Sequence, residues 1–121
     1  GPETGGGSVR VLRDSLTYAT QTTSDTVVIG GKKLPVGATV LYVTMQTTVT
    51  TGSATLALGI TGTVAKYKAA GAVTTVDVPQ IYGVTAGTVA TTTEEQLFLT
   101  IAGASLPGSG TLIVNVFYVV D

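Results

Sequence analysis

The chain contains no cysteine, no histidine and no tryptophan, and only 11% of its 121 residues are charged. Each absence removes a class of chemistry. Without cysteine there is no disulfide and no thiolate metal site. Without histidine or cysteine, the Ser-His-Asp and Cys-His nucleophile pairings cannot form, and no serine stands in a G-x-S-x-G elbow. A net charge of −1 gives no field that draws the chain to nucleic acid or to an anionic membrane. Lys32-Lys33 and the Lys66/Lys68 pair lack the interleaved aromatics of a single-strand groove. They read as solubilising charges at strand ends, with Lys66 and Lys68 in solvent. No apolar run approaches the roughly 20 residues of a membrane-spanning helix, and no stretch reads as a signal peptide. Ala102-Gly103-Ala104-Ser105 is glycine-bearing but lacks the helix and lysine of a phosphate loop.

The acids are few and dispersed. Glu94 and Glu95 are neighbours that would point oppositely in a strand, so they read as solvated loop charges and not as a glycosidase pair. Asp77 reads as a turn carboxylate more readily than as a calcium ligand. The expectation is a non-enzyme with no catalytic residue, no metal and no cofactor.

What is present points to strands. Threonine accounts for 24 residues, and the 16 glycines and 4 prolines fall mostly between Val/Thr runs. β-Branched residues suit a pleated, half-buried surface, and short runs broken by turn residues are the pattern of an all-β domain. Gly1-Pro2 resembles a tag-protease scar and Gly5-Gly6-Gly7-Ser8 is linker-like, so residues 1–8 stand apart. Residues 9–20 read as an N-terminal arm or an edge strand, and 21–121 as the β-sandwich domain.

The clearest pattern lies in residues 39–62. Alternation places Leu41, Val43 and Met45 on one face and Val40, Tyr42, Thr44 and Gln46 on the other. After the turn at Thr50-Thr51-Gly52-Ser53, Leu56, Leu58 and Ile60 share a face, with Ala57 and Gly59 behind, small enough for another layer or the adjoining chain to approach closely. Further strands are expected at residues 16–20, 26–29, 73–78, 81–84, 88–90 and 97–101, and residues 63–70 read as a strand or a loop at the rim. Thr93 to Gln96 fits a helix capping box, but the following alternation favours a strand. Residues 111–120 are apolar on both faces, which predicts a central strand or one covered by a partner chain. Leu56-x-Leu58-x-Ile60-x-Gly62 recurs as Leu97-x-Leu99-x-Ile101-x-Gly103, read as two core strands that each end in a glycine turn.

Leu34-Pro35-Val36-Gly37-Ala38-Thr39-Val40, then Ala54-Thr55-Leu56-Ala57-Leu58-Gly59, then the closing strand from Gly110 to Val120, resemble small structural proteins of tailed bacteriophages. The resemblance covers residues 34–120 and is one of strand types and spacing. It implies capsid decoration or a head fibre, commonly as a trimer, and supplies no catalytic residues. Gly59-Ile60-Thr61-Gly62 lacks the aspartate common after that glycine, which argues against a metal or acidic role at the turn.

The expected architecture is an antiparallel, jelly-roll-like β-sandwich. The expected role is a virion structural protein that buries surface as a homotrimer against the phage capsid or other virion proteins, with no nucleic-acid or membrane partner. Val9, Val11 and Leu12 are candidate partner contacts on the arm. The alternative is a carbohydrate- or receptor-binding module, in which Tyr67 and Tyr82 form a platform for a cell-surface glycan.

Overall fold

A computed structural model describes residues 8–85 and 89–120. The scar and linker reading of residues 1–7 and the strand reading at Thr88 lie outside the described residues. Eight strands follow one another: β1 (Arg10–Thr17), β2 (Thr26–Leu34), β3 (Ala38–Thr47), β4 (Thr55–Ile60), β5 (Thr63–Gly71), β6 (Gln80–Gly83), β7 (Glu95–Ala102) and β8 (Thr111–Val120). The described residues contain no helix. Thr93 to Gln96 leads into β7, as the alternation of Leu97, Leu99 and Ile101 requires.

The strands form two four-stranded antiparallel sheets ordered β1-β8-β3-β6 and β2-β7-β4-β5. First pairs with last, second with seventh, third with sixth and fourth with fifth. A single long hairpin, folded over itself so that successive pairs alternate between two layers, produces this order. It is the jelly roll. Leu12, Leu16, Val43, Met45, Leu112, Val114 and Val116 point inward from the first sheet, and Ile29, Leu56, Leu58, Leu97, Leu99 and Ile101 from the second. Tyr18 is buried between the layers, with its hydroxyl hydrogen-bonded to Thr47 Oγ1 at 2.7 Å. The recurring Leu-x-Leu-x-Ile strands are β4 and β7, and they are neighbours in one sheet.

Two ends close differently. The connections 18–25, 48–54, 72–79 and 103–110 interlock through backbone bonds, among them Thr20 N–H to Pro107 O at 3.0 Å, Thr51 N–H to Val73 O at 3.0 Å and Leu106 N–H to Gln21 O at 2.8 Å. At the other end buried Thr91 staples the β2–β3 turn. Its hydroxyl donates to Pro35 O at 2.7 Å and accepts from Ala38 N–H at 3.1 Å.

Four expectations are corrected. A bulge at Leu41 reverses the phase of β3, so Val40 joins Val43 and Met45 in the core while Leu41 leaves it. Residues 73–78 are a loop with one parallel bridge, Thr47 to Val76, not a strand; Asp77 there adopts φ 62° and donates its N–H to Thr47 O at 2.8 Å. Val89 and Ala90 are not in a strand. Gly59 does not admit a neighbouring chain. A Cβ there would lie 2.5 Å from the Val64 carbonyl carbon and oxygen, so the close approach is made by the chain's own β5.

Candidate assembly surface

Asp14, Asp25 and Glu95 are engaged in structural contacts. Asp14 accepts the Gly30 N–H at 2.8 Å, tying β1 to the bulged part of β2. Asp25 accepts the Thr22 N–H at 2.8 Å. Glu95 is not a loop charge: it is buried at the start of β7, accepts the buried Tyr67 hydroxyl and pairs with Lys66 Nζ at 2.5 Å. Burial and the adjacent carboxylate hold the Tyr67 hydroxyl protonated well above the ordinary tyrosine range. Among the described residues there is no cluster of metal-ligating side chains and no enclosed pocket.

Lys68 is also not in solvent. Irregular pairing of β5 with β4 turns both Tyr67 and Lys68 inward. Lys68 is 2% exposed, donates to Leu56 O at 2.8 Å and Ala69 O at 2.9 Å, and lies 4.5 Å from the Tyr82 ring centroid. It closes the flank where the edges of the two sheets meet. Burial lowers its pKa from 10.5 to about 8. The unfolded chain therefore holds this proton to higher pH than the folded one, and folded stability rises as pH climbs from 8 toward 10.5. Buried Tyr18, Tyr67 and Tyr82 act oppositely: their hydroxyls are raised above 10, so the unfolded chain ionises first and stability falls above that pH. Between pH 8 and 10 the Lys68 contribution rises by about 2 kcal/mol and the three tyrosines offset about half of it, so chemical denaturation should show a net gain of about 1 kcal/mol. Lys68→Met should remove this rise. A rise of equal size in the variant would refute the assignment to Lys68.

The remaining large feature is the outer face of the first sheet. Cross-strand register builds it in rows. One row is Val11, Phe117, Tyr42 and Gly83; the next is Arg13, Asn115, Thr44 and Ile81; a third holds Ser15, Ile113 and Gln46. Phe117 and Tyr42 stack with centroids 4.6 Å apart. Asn115 donates to Thr44 Oγ1 at 3.3 Å. Arg13 is the one charged side chain in these rows. On the central strand β8, Leu112, Val114 and Val116 of the inner face are fully buried, whereas the outer residues Ile113, Asn115 and Phe117 are part-buried.

The expected contact residues divide. Val9 and Val11 are exposed, at 57% and 50%. Leu12 is not available to a partner: it is buried, and its side chain fills the space where a Gly30 Cβ would stand. Residues 10–17 form β1, paired along its length with β8 of the same chain. Tyr67 is buried and Tyr82 faces inward beneath Lys68, so the two do not form an exposed sugar platform. The aromatic pair on the outer face is Tyr42 and Phe117, both part-buried. Sequence reasoning placed both on one face-pattern each but not beside each other, because their adjacency depends on the β3–β8 register and its bulge.

No protein-family model matches the chain, and no curated protein sequence matches it. Solved structures do. A chain of the cyanophage Pam1 capsid asymmetric unit superposes with a TM-score of 0.73 at 25% identity, over 96% of this chain and 87% of that one. A chain of the capsid of Ralstonia phage GP4 gives 0.72 at 19%, over 96% and 86%. A chain of the acidic stable capsid structure of Helicobacter pylori bacteriophage KHP30 gives 0.61 at 11%, over 95% and 90%. The last two are similar in fold.

Proposed function

We propose that this chain is a structural protein of a phage virion, assembling as a homotrimer and decorating the capsid or contributing to a head fibre. The observation that carries this reading is the outer face of the first sheet: rows of apolar and uncharged side chains with only Arg13 charged. Likeness to capsid chains over 96% of the sequence supports the virion as its location. The mechanism is burial. Each large apolar side chain removed from water contributes about 1.5–3 kcal/mol, and the face presents Phe117, Tyr42 and Val11 together. Asn115 donates one N–H to Thr44 Oγ1, and its carbonyl oxygen and second N–H are left for a partner or bridging water to meet.

Phe117→Asp places a charge at the centre of that face. Sedimentation velocity should show trimers in the wild type and none in the variant, with the circular dichroism of β structure retained. Val11→Asp, at an exposed position, should weaken the same assembly without touching the core. Wild-type mass in both variants would overturn the reading.

A further inference from the structure

Each sheet has two edges, and an edge strand offers unpaired backbone groups to any other strand. The four edges here are β1, β6, β2 and β5. Three carry charge: Arg10, Arg13 and Asp14 on β1, Lys32 and Lys33 on β2, and the part-exposed Lys66 on β5, where Lys68 is already buried. Such charges block edge-to-edge pairing, because joining those edges would strip water from ions. β6, Gln-Ile-Tyr-Gly, carries none. It follows Pro79, which limits pairing at one end only.

β6 is also shaped for itself. Ile81 is 73% exposed, the most exposed of the large apolar residues described. Two residues on, Gly83 lies on the same outer face, and a Cβ there would meet nothing within 4 Å. The Tyr42 ring opposite Gly83 leans onto Phe117 and leaves that space open. A projecting side chain and an empty place on the same strand and face are what a twofold contact uses, since residue i then meets j and j meets i. Antiparallel apposition of two β6 strands about Tyr82 sets Ile81 of each copy over Gly83 of the other. Both copies then present the same face, which joins the first sheets into one continuous sheet.

From this uncharged, self-complementary edge we infer that β6 is a twofold self-pairing edge whose partner is the β6 strand of a second copy of this chain. The contact lies at the β6 end of the outer-face rows, to the side of the Phe117 centre of the proposed trimer contact, and links one trimer to the next. Charge selects the partner: among the described strands, only another β6 edge meets it without burying an ion.

The test is sedimentation velocity over a range of concentrations, with Ile81→Lys and Gly83→Val. Neither substitution touches the core, as Ile81 is exposed and Gly83 has open space. The wild type should populate an even multiple of its smaller unit, and each variant should weaken that step at least about tenfold. A second readout fixes the register. In this cysteine-free chain, Ile81→Cys with Gly83→Cys should oxidise to a covalent dimer in high yield, and the same pair of changes at Thr26 and Val28 on β2 should not. Even multiples built from single chains, lost in Ile81→Lys, would uphold the edge and defeat the trimer. A wild-type trimer with no larger species, or variants that associate as the wild type does, would overturn the edge.

Discussion

Gly59→Ala is expected to leave little soluble folded protein, although it adds one methyl group. The new carbon would land on the Thr63 carbonyl oxygen and 2.5 Å from the Val64 carbonyl. Those atoms are backbone, held by the two-residue β4–β5 turn at Thr61-Gly62, where Gly62 stands at φ 84°. No rotamer change relieves the overlap. β5 must move away from β4, and that would disturb Tyr67 and Lys68 packed behind it. The cost should reach about 3 kcal/mol, the upper range for overpacking, a large share of the stability of a domain of this size. Soluble yield and urea unfolding measure it. Gly31→Ala is the control, because nothing lies within 4 Å of its Cβ position. Wild-type behaviour of Gly59→Ala would contradict the strand pairing described.

Glu95→Ala is expected to cost about 2–4 kcal/mol, through groups it strands more than through contacts it deletes. The Tyr67 hydroxyl is buried and donates to Glu95, and Lys66 pairs with the same carboxylate. Truncation leaves a buried hydroxyl without an acceptor and a part-buried ammonium without a counter-ion. Lys66 is a quarter exposed, so its share is the smaller one. Tyr67→Phe combined with Glu95→Ala should recover part of the loss, because the stranded donor is then gone. Thermal unfolding should fall by roughly 5–15 °C in the single variant. No recovery in the double variant would place the cost elsewhere.

These two sites differ in how far the sequence announces them. Alternation in β7 runs back from Ile101 through Leu99 and Leu97 to Glu95, so its inward position was readable two residues before the apolar run. Composition hid it, since a Thr-Thr-Thr-Glu-Glu stretch looks like a loop. Lys68 gave no such signal: strict period-two reading sends it to solvent, and only the irregular β5 register turns it inward beside Tyr67. The β3 bulge acts in the same way, reversing the phase of Val40 and Leu41. β8 was the opposite case. Apolar residues on both faces predicted a central strand, and it lies between β1 and β3. The nested strand order itself is set by long-range pairing of first with last, and no local pattern encodes it.

The assembly face was half visible. Phe117 belonged to a recognisable apolar stripe and Val11 stood out on the arm, whereas Tyr42 and Ile81 reach their vicinity through register alone. Tyr67, singled out for its ring, is needed inside.

The central claim is that this chain is built into a virion. Quantitative mass spectrometry of gradient-purified particles of the phage that encodes it tests that claim most directly. The account predicts the chain in a fixed, many-copy ratio to the shell protein, retained through repeated purification. Its absence from intact particles, or presence only in traces that wash away, would contradict the account.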